Sequence, residues 1–236
     1  MKPAPFDYVA ARSVEEALEA LRDDGARVLA GGQSLVPLLN ARRERATRLV
    51  DINGAGLGVI RRTDGRLRLG ATVRQAALQR SRLVREHWPL LAQAAAHVGH
   101  VATRTRGTLG GSVAHADPRA QLPLALLALG AEHVEKGPLL LEIVIPPLPP
   151  GTRTAFAEHS RTRGDFPSAA AAVAVAPGHA AVAVLGVGRV ARAEHALREG
   201  AGAREVAELA AETVDRGHRR ALIAEVTRRA LVECGR

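Results

Sequence analysis

Cysteine is all but missing from this chain: Cys234 stands alone near the C-terminus among 236 residues. A single thiol excludes a disulfide framework, a CxxC zinc site and a cysteine-ligated iron–sulfur cluster built within the chain. Aromatic residues are nearly as scarce, with three Phe, one Tyr and one Trp. The core is therefore expected to be aliphatic, filled mainly by Ala, Leu and Val. Long apolar runs are also missing. No window approaches the ~20 residues of a membrane-spanning helix. Met1 to Asp7 lacks a basic region followed by an apolar stretch. A soluble, cytoplasmic protein with no membrane span is expected.

Positive charge is what the sequence has in excess: 33 Lys and Arg against 24 Asp and Glu, a formal charge of +9 and a pI near 11.2. A basic chain points to nucleic acid, an anionic cofactor or an acidic partner subunit. Nucleic-acid readers concentrate charge on one face and add aromatic stacking platforms. Here Arg is scattered and each aromatic stands alone, so an anionic ligand or a partner subunit is favoured and no nucleic acid is expected.

Periodicity and turn chemistry give an α+β reading. Ser13 and Glu16 form a capping-box pattern ahead of a helix over 14–24. A strand at 27–30 runs into Gly31-Gly32-Gln33-Ser34, and Ser34 is placed to cap a short helix through Asn40, with Pro37 in its first turn. A strand follows at 48–52. Strands at 57–62 and 66–70 form a hairpin across Asp64-Gly65. Helices are read at 73–80, 90–98 and 122–129. A strand at 139–145 is stopped by the prolines of 146–150, and strands follow at 153–161, 168–176 and 180–187. Helices at 192–199, 203–216 and 218–234 complete the chain.

Two double-glycine loops carry the chemistry: Ala30-Gly31-Gly32-Gln33-Ser34-Leu35 and Arg106-Gly107-Thr108-Leu109-Gly110-Gly111-Ser112. Paired glycines permit positive φ and leave no Cβ, so backbone N–H groups approach an anion closely. A helix start just beyond adds partial positive charge. Two such loops suit a pyrophosphate held from both sides. Other signals are weaker. His97-x-x-His100, with His115 and Asp117, has metal-like spacing, but no Cys or Glu completes a ligand set and a structural or hydrogen-bonding role is read instead. Gly186-Val187-Gly188 is a lone GxG, and no Walker A loop or Gly-x-Ser-x-Gly elbow exists. No residue reads as a general acid or base, as suits a protein that positions and tunes a cofactor.

The segments AGGQSLVPLLNAR (30–42), LVDIN (49–53), LRLGATVRQA (67–76), PLLAQAAAHVGHVATRTRGTLGGSVAHADPRAQLP (89–123) and RTRGDF (161–166) occur in this order. Together they closely resemble the FAD-binding medium subunit of the carbon monoxide dehydrogenase and xanthine dehydrogenase family. The resemblance is strongest to about residue 130 and weaker through 139–176 and beyond. It implies the two-subdomain FAD-binding fold of the vanillyl-alcohol oxidase and enolpyruvylglucosamine reductase type, with a small C-terminal α+β domain. The implied boundaries are 1–176 for the FAD-binding domain, in subdomains of about 1–54 and 55–176, and 177–236 for a shortened C-terminal domain.

For the site, the resemblance implies that Ala30, Gly31, Gly32, Gln33, Ser34 and Leu35 wrap the FAD pyrophosphate, with Thr108, Gly110, Gly111 and Ser112 holding it from the other side. Asp117 is implied to bond ribityl or ribose hydroxyls, and Thr72 to sit near the flavin. Arg163, Gly164, Asp165 and Phe166 match the segment that reaches the isoalloxazine ring. No catalytic residue and no metal is implied. For assembly, the resemblance implies an iron–sulfur small subunit, a molybdopterin large subunit, a heterotrimer, single or doubled, and a terminal electron acceptor such as NAD or a quinone.

The chain departs from the family in several places. Phe166 stands where Tyr is common, Thr105 where Asn is usual, and Gln121 where an acidic residue is usual. Two shortenings are read, at 130–138, where a strand and loop are expected to be lost, and at 177–188. Two rival readings stand beside the resemblance: a stand-alone flavoprotein oxidoreductase and, on the strength of the gap after Gly130, a shortened scaffold or binding protein without flavin.

Overall fold

The computed structural model of the protein describes residues 2–214 and 217–235. In chain order the elements are β1 (Asp7–Ala10), α1 (Val14–Ala20), β2 (Ala26–Leu29), α2 (Leu35–Asn40), β3 (Arg48–Asp51), β4 (Ile60–Thr63) and β5 (Arg66–Gly70). Then follow α3 (Gln75–Arg80), α4 (Arg82–His87), α5 (Pro89–His97), α6 (Val101–Arg106), α7 (Leu109–His115) and α8 (Gln121–Ala128). The remainder is β6 (Glu132–Lys136), β7 (Leu139–Ile145), β8 (Arg153–His159), β9 (Ala169–Ala176), β10 (His179–Val184), β11 (Gly188–Arg189), α9 (Ala191–Arg198), α10 (Ala203–Ala211) and α11 (His218–Glu233). The fold is mixed α+β, and the chain divides into two compact units.

The first unit comprises Met1–Ala77, Val101–His115 and Glu132–Val144. Its parallel sheet has the order β1-β3-β2. Alternation along β3 sends Leu49 and Val50 into different clusters. Val50 packs with Ala17 of α1, and Leu49 with Leu39 of α2. The entry to α1 follows from its sequence: Ser13 Oγ accepts the Glu16 N–H at 3.1 Å and Glu16 Oε2 accepts the Arg12 N–H at 2.7 Å. Ser13→Ala is expected to cost about 1 kcal/mol, read as a lower urea midpoint at an unchanged m value.

The same unit holds a second sheet of order β4-β5-β7-β6. Leu67 and Leu69 of β5 are fully buried, and Glu142 of β7 pairs with Arg61 (2.6 Å) and with Arg68. The strand expected to be lost at 130–138 is present. Residues 130–138 do not pass directly to the next strand, because Glu132–Lys136 is itself a strand, antiparallel to β7. Its five residues, EHVEK, are all exposed and it lies at the sheet edge. It therefore carries no apolar alternation from which a strand can be read.

The second unit comprises Leu78–His100, Ala116–Ala131 and Ile145–Arg236. Its sheet is antiparallel, of order β11-β10-β9-β8. All eight residues of β9 (AAAAVAVA) are buried. Ala169, Ala171, Val173 and Val175 join a core with Ile223, Val226 and Leu231 of α11, while α5 and α8 also pack on the sheet. Helices on both sides require small side chains on both faces, which explains a strand made almost entirely of Ala. The helix expected over 203–216 runs as α10 to Ala211, and residues 215–216 lie outside the described ones.

Candidate cofactor site

The first glycine loop leaves the end of β2 and enters α2. Gly32 has φ +70°, open to glycine at little cost. Gly31 is needed for proximity: a Cβ there would lie 2.5 Å from Arg106 O and 2.8 Å from Gly107 Cα. The two glycine loops therefore touch, backbone to backbone. The backbone N–H groups of Gly31, Gly32, Gln33, Ser34 and Leu35 have no acceptor among the described residues. Ser34 occupies the N-cap position of α2, but its hydroxyl makes no cap bond. Consecutive N–H groups without internal acceptors at a strand-to-helix turn are groups that an anion can satisfy.

The second loop is built differently, because its amides bond within the protein. Gly107 N–H donates to Thr103 O (2.7 Å), Leu109 N–H to Val73 O (2.9 Å) and Gly110 N–H to Ala71 O (2.9 Å). Gly111 N–H donates to Thr108 Oγ1 (3.0 Å) and Ser112 N–H to Thr108 O (3.1 Å). A Cβ on Gly110 would lie 2.7 Å from Ala71 Cβ. These glycines bring α7 against the segment 71–73 and so place Thr72, which is buried, beside the loop. Ser112 offers a half-buried side chain and Gly111 is exposed.

A polar network joins the two loops. The Asp51 carboxylate accepts from Tyr8 Oη (2.7 Å) and from Asn53 N and Nδ2 (2.8 and 2.6 Å). Burial works against its charge, but these hydrogen bonds and Arg74 hold its pKa below the usual carboxylate value. Asn53 Nδ2 also donates to Ala30 O at 2.9 Å, at the start of the first loop. Asn53 Oδ1 accepts from Arg74 Nη2 at 2.8 Å, and Arg74 Nη1 donates to Arg106 O at the start of the second. Asn53 and Arg74 lie inside sequence segments that marked the resemblance, yet sequence reasoning gave them no role. The available signal was an Asn two residues beyond an Asp at a strand end, a local hydrogen-bonding pattern.

Within the second unit, Asp117 is gripped by Arg119, with Nε 3.1 Å from Oδ1 and Nη2 3.0 Å from Oδ2. The Arg119 guanidinium lies over the Phe166 ring, 4.4 Å from its centroid. Arg119, another residue not singled out from sequence, thus links two of those that were. Asp165 is exposed, and its N–H donates to Thr162 O at 3.1 Å. Gly164 has φ +90°, and a Cβ there would meet the His100 ring at 2.7 Å. His97 Nδ1 lies 3.2 Å from Glu158, whose carboxylate also accepts from Gln121 Nε2 at 3.1 Å. No group of three or more metal-ligating side chains occurs among the described residues.

A glycine-lined run of amides without an acceptor among the described residues, backed by a second loop in contact with it, is the kind of arrangement in which anionic groups are held. Residues 4–146 match the family described as "FAD binding domain in molybdopterin dehydrogenase". The chain is 44% identical over 193 residues to the 6-hydroxypseudooxynicotine dehydrogenase complex subunit alpha of Paenarthrobacter nicotinovorans, a match covering 70% of this chain and 65% of that one. To the carbon monoxide dehydrogenase medium chain of Hydrogenophaga pseudoflava it is 32% identical over 200 residues, covering 73% and 70%. Carbon monoxide dehydrogenase from Hydrogenophaga pseudoflava, solved without the Mo-pyranopterin moiety of its molybdenum cofactor, contains a chain that superposes with a TM-score of 0.91. That superposition has 28% identity over 100% of this chain and 99% of the other. The chain belongs to the family of FAD-binding domains of molybdopterin dehydrogenases, an oxidoreductase flavoprotein family, and its cofactor is FAD. The residues present fit that group, since five consecutive backbone N–H groups have no acceptor among the described residues and so remain available to an anion. No described helix is long and apolar enough to cross a membrane.

Proposed function

We propose that this chain is the electron-relaying FAD subunit of a molybdenum hydroxylase. A molybdopterin in a large subunit would supply substrate oxidation and iron–sulfur clusters in a small subunit would supply the electrons that this chain hands to a terminal acceptor such as NAD or a quinone. The observation that carries the reading is the run of five free N–H groups from Gly31 to Leu35, within a chain of this family. Bound FAD supplies two-electron acceptance from one-electron donors.

The chain's own residues bind and orient. In this reading Ala30, Gly31, Gly32, Gln33, Ser34 and Leu35 would hold the diphosphate, with the N–H groups from Gly31 to Leu35 as its donors. Thr108, Gly110, Gly111 and Ser112 close the second side, with the glycines giving room and Ser112 its hydroxyl. Thr72 borders the flavin, and Asp165 and Phe166 reach the ring. Asp117 takes cofactor hydroxyls, which requires Arg119 to share or release its carboxylate. With one cysteine, at position 234, the chain needs the small subunit for clusters and the large subunit for molybdopterin, in a heterotrimer.

The test is co-expression with the two partner genes. Co-purification of three subunits, FAD released near one per chain, and bleaching of the flavin absorption by substrate are expected. A flavin-loaded chain that reacts alone with NADH, and never associates with partners, would falsify the relay role. Asp117→Ala is expected to weaken FAD retention by about tenfold, the loss of one or two hydrogen bonds at ~1 kcal/mol each. An unchanged dissociation constant in fluorescence titration removes Asp117 from the site.

A further inference from the structure

The geometry points to Asn53 and Arg74 as a positioning strut that sets the spacing of the two glycine loops for the cofactor diphosphate. The inference rests on the reading that residues 30–35 hold that diphosphate, and it assigns a task to two residues outside both loops. Asn53 is fixed at one end, because Asp51 Oδ1 accepts from both its backbone N–H and its Nδ2. Its side-chain amide then uses both polar ends. Nδ2 donates to Ala30 O, and Oδ1 accepts from Arg74. Arg74 forks, with Nη2 on Asn53 and Nη1 on the Arg106 carbonyl.

That carbonyl is the atom a Cβ on Gly31 would strike at 2.5 Å. The strut therefore ends where the loops touch. It anchors Ala30, immediately before the five free donors, and Arg106, immediately before Gly107. A planar guanidinium holding two acceptors at fixed angles sets a distance, as a point charge on a flexible stem does not. Neither Asn53 nor Arg74 is asked to touch the cofactor. Both keep their partner groups oriented, so that the loop donors are arranged before binding and less ordering is needed at that moment.

The experiment uses the full chain stripped of flavin, titrated with FAD and with ADP, which carries the diphosphate without a flavin. Asn53→Ala is expected to raise both dissociation constants by the same factor, about tenfold, while the melting midpoint of the stripped chain stays put. The Asn53→Ala, Arg74→Ala double variant should be no weaker than the weaker single, because both cut one strut. Arg74→Lys should recover less than half of the loss, since it keeps the charge and loses the fork. FAD affinity within twofold of wild type in Asn53→Ala overturns the strut. So do additive singles, full rescue by Arg74→Lys, or a loss that tracks a lowered melting midpoint. Gly31→Ala is the control for the underlying reading. If it keeps FAD, the loop assignment has failed. If it loses FAD while Asn53→Ala keeps it, only the strut has failed.

Discussion

Gly31→Ala is expected to strip the chain of FAD while leaving its fold in place. The added methyl group has no room, lying 2.5 Å from Arg106 O and 2.8 Å from Gly107 Cα, both backbone atoms. Backbone cannot swing aside as a long side chain does, so one loop must move by several tenths of an ångström or more. The first loop is the one held less tightly, because its N–H groups from Gly31 to Leu35 have no acceptor among the described residues, whereas those of the second are tied down through Thr103, Val73 and Ala71. Displacing the first loop misaims its donors. Two hydrogen bonds to a charged diphosphate, at about 1.5–3 kcal/mol each, amount to roughly a 10²- to 10⁴-fold loss of affinity.

The measurement is the ratio of flavin absorbance to protein after gel filtration, together with the melting midpoint of the flavin-free forms. Flavin-free forms must be compared, because bound FAD itself raises the midpoint. A Gly31→Ala chain with one FAD per protein shows that the loop contact does not govern the site. Gly110→Val is a less discriminating variant. Its side chain meets Ala71 in the packed interior of the first unit, so cofactor and fold are expected to fail together.

The glycine loops were legible in the sequence because their chemistry is local: adjacent glycines, a small hydroxyl, and a strand before or a helix after. What lay beyond reach depends on contacts across long separations. Asn53 reaches Ala30 across 23 positions and Arg74 reaches Arg106 across 32. Nothing in a linear pattern marks those pairs. Arg119 over Phe166 is of the same kind, and an Arg in so Arg-rich a chain attracts no notice. The helix α7 was hidden for another reason. Gly110 and Gly111 fall inside it, and glycine costs a helix about 1 kcal/mol relative to Ala. Packing against Ala71 decides the matter there, since only a glycine admits the contact. Strands such as β3 and β7 were read correctly because their apolar residues form compact, mostly buried runs bounded by turns, while β6 has no buried residue at all.

Trp88→Ala carries the largest expected effect on stability. Trp88 is the chain's one indole, 1% exposed, where α4 gives way to α5. Its backbone N–H closes α4 on Val84 O at 2.8 Å, and its Nε1 donates to Pro146 O at 2.8 Å. Val84, Leu90 and Leu91, close to it in the chain, are themselves fully buried, and aliphatic side chains cannot expand to occupy the volume an indole leaves. The cavity and lost burial together cost about 3–5 kcal/mol, or roughly 6–20 °C in melting midpoint for a chain of this size. Trp88→Phe keeps most of the apolar area but leaves the Pro146 carbonyl without its donor, so a smaller loss of about 1–3 kcal/mol is expected. Urea unfolding of the flavin-free chains measures both. If Trp88→Ala unfolds within 1 kcal/mol of wild type, the indole is not a keystone of the second unit. If Phe and Ala cost the same, the hydrogen bond to Pro146, rather than the volume, is what the indole supplies.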